Sequence, residues 1–212
     1  NPHDTGNEGA SLQDALNHLT GLPRHDSIWQ EPYGLRIGVS RKSIVDLVQY
    51  LQHSSPIRYK FIYNNIMYTV AGEAIAKALN SWHKQNNLLD PTELSFSEWM
   101  EEVIFSTLNM TSTYAEFCRI PPSLLPKMIT GYGTQGRATE NKPRERMSMA
   151  SVAPAGAIIS NGNDMLKYMK NFIAEISEDE EGKILKNDYD VYKKPLQAVA
   201  LSGTGHGIFQ KD

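Results

Sequence analysis

The sequence predicts an α+β fold in which helices dominate and the sheet is incomplete. Apolar residues recur at helical spacing through much of residues 11–173. Strand candidates are few, and the clearest of them, "IRYKFIY", is short. Helices of a mixed fold bury their apolar faces against a sheet. We therefore expect part of the sheet that these helices cover to lie outside this chain.

The composition is typical of a soluble globular protein. Of 212 residues, 40% are hydrophobic and 21% charged, and the formal net charge is -3. The chain has no Lys/Arg-rich run that could neutralise phosphates, so nucleic acid is not an expected partner. The apolar runs are too short for a membrane span. These features leave the oligomeric state open.

Cysteine usage bears weakly on the cellular compartment. Cys118 is the only cysteine, so no disulfide can form within the chain. The opening residues, "NPHDTGNEGA", contain no basic and apolar leader, so no signal peptide is predicted. The single cysteine favours a reducing compartment, so we expect a cytoplasmic location.

The first two helices are predicted from capping signals. Ser11, with Asp14 three residues later, forms a capping box before an apolar pattern that ends at Gly21. The segment "TGLPRHD" is then a turn. Ser43 begins a second helix that runs to about His53, ahead of Pro56.

The strongest helical pattern follows "IRYKFIY". Asn64 or Asn65 can cap this helix. Its predicted apolar face is Ile66, Met67, Val70, Ala71, Ala74, Ile75, Ala78 and Leu79. A fourth helix is predicted from about Ser97 to Leu108, and a last one, after a strand or turn at "APAGAIIS", with Asn161 or Asn163 as its cap. Between them, residues 116–148 indicate long loops, and an acidic, exposed run follows Ser177.

Tyr63 and Asn65 can be interpreted in two ways. Asn is among the best helix-capping residues, so the Tyr-Asn-Asn triplet can be a cap alone. At positions i and i+2 of a corner between extended chain and helix, however, Tyr63 and Asn65 can face one cleft while Asn64 points into the protein. A phenol acts as a general base when an adjacent cation such as lysine lowers its pKa. The spacing alone favours the cap.

Other polar residues are weaker candidates. His25 and Asp26, with His18 nearby, are too few for a metal site, and we expect a turn held by hydrogen bonds. Cys118 has no partner motif for a nucleophile. The one Ser-x-x-Lys is Ser81-Trp82-His83-Lys84. Some four helical turns, on the order of 24 Å, separate it from Tyr63, so we reject Ser81 as the nucleophile.

Four fragments in order resemble the serine β-lactamase-like family. They are "HLTGLPRHD", "RYKFIYNNIMYTVAGEAI", "IFSTLNMTSTY" and "APAGAIIS" with the following "DMLKYM". The family includes class C β-lactamases, D-alanyl-D-alanine carboxypeptidases and related esterases and transesterases, and its fungal-type members are the most similar. The resemblance covers about residues 11–173. It implies the helical subdomain of a β-lactamase-like α+β fold, with part of its antiparallel sheet missing.

The resemblance also implies roles for three residues. Tyr63 matches the general base of the family's Tyr-x-Asn motif, and Asn65 matches the amide that binds substrate. His206, in "GTGHGIF", matches the third motif, which binds substrate on a late strand. No Ser-x-x-Lys precedes "HLTGLPRHD" in these residues, although the family carries its nucleophile there.

The sequence therefore predicts a single partial domain over residues 1–212. Residues 11–173 form its helical region, and residues 174–212 hold an acidic linker and a C-terminal segment. The implied chemistry is acyl transfer from a small-molecule ester, amide or lactam, with no metal or organic cofactor. Without the nucleophile segment this chain is expected to be inactive alone. The alternative is a binding or regulatory module that keeps the fold without catalysis.

Overall fold

Helices dominate the part of the chain that can be described. The structure, a computed structural model, describes residues 9–29, 39–86, 93–132, 138–139 and 148–176. The α-helices are α1 (Leu12–Leu16), α2 (Arg41–Val48), α3 (Asn65–Gln85), α4 (Phe96–Trp99), α5 (Ala153–Gly156) and α6 (Gly162–Ile176). A π-helical stretch, Met100–Phe105, continues α4, and short 3-10 helices cover Asp26–Ile28, Phe117–Arg119, Pro122–Lys127 and Ser148–Val152.

Strands contribute little to the described residues. β1 (Gly131–Tyr132) pairs with β2 (Ala138–Thr139) in an antiparallel register that sets Gly131 opposite Thr139. A single antiparallel bridge joins Tyr114 to Ile159. The prediction that helices dominate is confirmed for this part of the chain.

The capping signals located the helix starts with mixed success. Ser11 and Asp14 form the predicted capping box, but α1 ends at Leu16, well before Gly21. The predicted cap Ser43 is wrong, because Ser40 accepts the hydrogen bond from the Ser43 amide and begins α2 one turn earlier. Asn161 is confirmed as a cap, since its side-chain oxygen accepts from the Asp164 amide at 3.0 Å.

The strand predicted at "IRYKFIY" is wrong. Arg58 has a φ of 63°, which interrupts an extended run. The amides of Arg58 and Ile62 donate to the carbonyl oxygens of Leu19 and His18, at 2.7 and 2.9 Å. These main-chain bonds therefore attach the segment to the turn after α1 rather than to a sheet.

The main core surrounds the N-terminal half of α3. Ile44, Ile66 and Val152 are fully buried there, and they pack with Ala15, Leu22, Trp29 and Met67. Gly72 lies so close to α5 that a Cβ atom at this position would be 2.4 Å from Cγ of Pro154. The second half of the predicted apolar face is wrong, since Ala74, Ile75 and Ala78 are exposed. The close contact with α5 places Gly72 and Ala76 on the buried face instead.

A partly buried ionic network ties α2 to the other helices. Arg41 donates to Glu73 at 2.8 Å, to Glu116 at 2.6 Å and to the carbonyl oxygen of Ala150 at 3.2 Å. The Ser97 hydroxyl also donates to Glu116, which is only 7% exposed. One guanidinium thus joins α2, α3, the 3-10 helix Ser148–Val152 and the loop that holds Glu116.

Among the described helices, none combines the length and hydrophobicity that a membrane crossing needs.

Candidate active site

Asn64 forms the corner at which α3 begins. Its side-chain oxygen accepts hydrogen bonds from the amides of Ile66 and Met67, at 2.9 and 3.3 Å, so it is the N-cap. Its side-chain nitrogen donates to the carbonyl oxygens of Leu22 and Pro23, at 3.1 and 3.0 Å. Asn64 is fully buried. The predicted cap and its inward direction are both confirmed, and the same side chain fixes the turn "TGLPRHD" against the helix.

Tyr63 and Asn65 flank this buried cap. Tyr63 is the last residue before it and is 38% exposed. Asn65 is the first residue of α3 and is half-buried. The structure thus places both predicted site residues at one helix entrance, with the side chain between them turned inward.

Two charged residues of the preceding turn connect Tyr63 to Asn65. The guanidinium carbon of Arg24 lies 5.4 Å from the centroid of the Tyr63 ring. Arg24 also donates to Oδ2 of Asp26 at 2.5 Å, and Oδ1 of Asp26 accepts from the side-chain nitrogen, Nδ2, of Asn65 at 3.4 Å. Sequence reasoning treated Asp26 as part of a turn and gave Arg24 no role. In the sequence, the one sign of a role for Arg24 and Asp26 is a pair of opposite charges within "PRHD". Only the folded turn brings the two side chains to the helix entrance.

His18 lies behind Tyr63 and is 1% exposed. Its ring centroid is 4.5 Å from that of Tyr63 and 5.1 Å from those of Phe61 and Tyr68. Nδ1 accepts the Asn64 amide at 3.0 Å, so a neutral ring carries its proton on Nε2. That atom is buried and has no hydrogen-bond partner among the described residues. Burial therefore lowers the pKa of His18 to about 4, from an ordinary value of 6.5.

Stability should consequently decrease as the pH falls below 6.5, the unfolded pKa of His18. The unfolded chain binds a proton at His18 more readily than the folded chain does. The contribution of neutral His18 to the free energy of unfolding is therefore complete above pH 6.5 and is lost as the pH falls towards 4. The expected slope is about 1.4 kcal/mol per pH unit. Urea unfolding between about pH 6.5 and pH 5, above the range of ordinary carboxyl groups, measures it. His18→Asn should remove this slope; an unchanged slope in that variant would contradict the assignment to His18.

The remaining candidates lie away from the corner or outside the described residues. Ser81 is near the far end of α3, where its hydroxyl donates to the Lys77 carbonyl oxygen at 2.8 Å. Partial burial and the neighbouring Glu116 carboxylate raise the pKa of Cys118, which disfavours the thiolate. No group of three or more His, Cys, Asp or Glu side chains suited to a metal ion occurs in the described ranges. His206 lies outside the described residues, so its role stays a prediction.

A comparison with protein families identifies the family of this chain. A family model described as beta-lactamase matches residues 2–210. The chain belongs to the beta-lactamase family. This confirms the resemblance found in the sequence fragments.

Two Aspergillus proteins are similar over most of this chain. The chain is 28% identical over 166 residues to an unguisins hydrolase of Aspergillus campestris, covering 78% of this chain and 28% of the relative. It is 26% identical over 163 residues to an unguisins hydrolase of Aspergillus violaceofuscus, covering 75% and 26%. The chain thus spans about a quarter of the length of these curated relatives.

Solved structures of the beta-lactamase fold are also similar. A D-amino acid amidase from Ochrobactrum anthropi in complex with L-phenylalanine has a TM-score of 0.61 and 21% identity, covering 89% of this chain and 47% of that one. A class C beta-lactamase has a TM-score of 0.55 and 16% identity, covering 86% and 42%. At these identities the likeness shows the fold alone.

The corner offers three kinds of polar group on one surface. Tyr63 provides a phenol, Asn65 an amide that can donate and accept, and Arg24 a positive charge held by Asp26. A phenol can move a proton and an amide can bind a substrate carbonyl or amide group. The corner contains no serine, the residue whose hydroxyl is the nucleophile in serine-dependent acyl transfer.

Proposed function

We propose that this chain carries half of the active site of a serine hydrolase or acyltransferase that acts on an ester, an amide or a lactam. Tyr63 takes the proton of a serine hydroxyl, and Asn65 binds the substrate. The serine oxygen forms a bond to the carbonyl carbon, and the bond to the leaving group breaks as that group gains a proton. Water or another acceptor then releases the acyl group from the serine.

The observation that carries the proposal is the shared helix entrance of Tyr63 and Asn65. The fully buried Asn64 cap fixes the main chain between them. A cap alone would require only Asn64, whereas here the two flanking side chains face the charged turn of Arg24 and Asp26. The hydrolase names of the two Aspergillus relatives support hydrolysis as the reaction class.

We further infer that the nucleophile and most of the sheet come from residues outside this chain. Ser81 is separated from Tyr63 by nearly the length of α3. The described strands, β1 and β2, are two residues each. The chain also covers less than half of each solved structure compared with it, which leaves room for the missing parts.

Tyr63→Phe should slow acylation on the order of 100-fold or more in the protein expressed from its full reading frame, because the serine loses its base. Mass spectrometry measures the acyl adduct formed with a chromogenic cephalosporin, a p-nitrophenyl ester or L-phenylalanine amide. Tyr59→Phe is the matched control, since Tyr59 is 76% exposed in the preceding turn. We expect it to react at the unmodified rate.

The outcomes separate the alternatives. No adduct on the folded 212-residue chain, with an adduct on a serine of the full product, supports the proposal. An adduct on Ser81 would place the nucleophile within this chain. A folded full product that binds these compounds without acylation would favour the binding module.

A further inference from the structure

We propose that His18 is a positioning residue that holds Tyr63 in its catalytic orientation. The inference rests on the proposed function of Tyr63, and it adds a residue whose role is exerted through Tyr63 rather than on the substrate.

The first support is the main chain on both sides of Tyr63. The Ile62 amide donates to the carbonyl oxygen of His18 at 2.9 Å, and the Asn64 amide donates to Nδ1 of the same residue at 3.0 Å. One residue therefore holds the main chain at Ile62 and at Asn64, on either side of Tyr63.

The second support is contact between the rings. The centroid of the His18 imidazole lies 4.5 Å from that of the Tyr63 ring, at an interplanar angle of 41°. Arg24 makes a further contact with the same ring, since its guanidinium carbon lies 5.4 Å from the centroid of Tyr63. Tyr63 is 38% exposed, and a side chain on the surface would otherwise exchange rotamers freely. Packing against the buried ring of His18 restricts the rotamers of Tyr63 in the folded protein. Little further side-chain entropy is then lost when the reaction takes place.

The third support is the residue type that this position requires. His18 has a φ of 60°, a left-handed conformation that His and Asn adopt more easily than most side chains. The position also needs an acceptor for the Asn64 amide and a flat ring against Tyr63. Histidine meets all three requirements. Phenylalanine lacks the acceptor, and asparagine lacks the ring.

His18→Asn separates positioning from structural support. Asn keeps an acceptor close to the Nδ1 position and tolerates the positive φ, so this variant should stay folded. It loses the ring contact with Tyr63. In the full-reading-frame protein we expect the acylation rate at saturating substrate to fall on the order of 10- to 100-fold, with a smaller change in substrate binding.

Phe61→Leu is the matched control. It also removes an aromatic contact with His18, whose centroid lies 5.1 Å from that of Phe61, but it leaves the pair of His18 and Tyr63 intact. Both variants are compared under conditions in which urea unfolding shows them to be fully folded. A purely structural role predicts equal acylation rates for the two variants, and that result would overturn the inference.

A measurement on the chain that retains His18 tests the same contact without a His18 variant. Fluorotyrosine incorporation gives each tyrosine a fluorine signal, and Tyr63→Phe and Tyr59→Phe assign the two of interest. A held ring predicts a Tyr63 signal displaced from that of the exposed Tyr59 by the imidazole ring current. A Tyr63 signal at the position of free fluorotyrosine would overturn the inference.

These results also distinguish the two proposals. If Tyr63→Phe acylates at the unmodified rate, the proposed function fails. If Tyr63→Phe is inactive while folded His18→Asn retains full activity, the proposed function stands and the role of His18 is wrong.

Discussion

Asn64→Ala is expected to lower the free energy of unfolding by roughly 3 to 5 kcal/mol. The substitution removes the cap from the amides of Ile66 and Met67. It also leaves the carbonyl oxygen of Leu22 without its donor in a buried position, and that of Pro23 without its donor in a partly buried one. Loss of a cap costs about 1 kcal/mol, and each unpaired buried group costs roughly 1 to 3 kcal/mol. Urea unfolding followed by circular dichroism measures the change.

The neighbouring Asn65→Ala is the control, and it should affect acylation rather than the free energy of unfolding. Its side chain makes one long hydrogen bond, to Asp26 at 3.4 Å, and alanine favours the first turn of a helix. We expect its stability to change by less than about 1 kcal/mol, while acylation of the full product slows. Equal losses of stability in the two variants would contradict the assignment of Asn64 as the cap and Asn65 as the site residue.

Arg41→Met should cost roughly 3 to 5 kcal/mol, because it leaves the Glu116 carboxylate buried without its cation. Glu116 is 7% exposed, and in the described residues its carboxylate then keeps only the Ser97 hydroxyl and a long contact from the Cys118 thiol as hydrogen bonds. Methionine fills much of the volume of the arginine stem, so the loss reports the charge rather than a cavity. The midpoint of urea unfolding should fall accordingly.

Lys42→Met, one position along α2, is the matched control. Lys42 pairs with Asp46 at 2.9 Å, but the two side chains are 84% and 57% exposed. Exposed pairs at this spacing contribute about 0.3 to 0.5 kcal/mol. A small change in Arg41→Met, similar to that in Lys42→Met, would show that the network adds no net stability.

The local signals in the sequence identified much of the candidate site. The triplet of Tyr63, Asn64 and Asn65 has its meaning in consecutive residues, because a cap and its flanking positions are set by one corner of the chain. Their arrangement could therefore be predicted, including the inward direction of Asn64. The family resemblance then supplied roles for Tyr63 and Asn65 that spacing alone left open.

Non-local contacts limited the rest of the prediction. "IRYKFIY" has the alternation of a strand, but its amides pair with carbonyl oxygens of the turn after α1. Local pattern cannot report a partner some forty residues away, and tertiary context routinely overrides propensity. The buried face of α3 was likewise decided by the close approach of Pro154 to Gly72.

By itself, the sequence determined the helical character of the described residues, the capped entrance of α3 and the pair of Tyr63 and Asn65 beside it. Only the tertiary structure decided what surrounds that pair. His18 and Arg24 lie in the fragment "HLTGLPRHD", but their contacts with Tyr63 follow from a turn that folds back onto the helix entrance and places a ring and a guanidinium on that side chain. Capping depends on adjacent residues and is visible in sequence, whereas packing depends on residues that meet only when the chain folds.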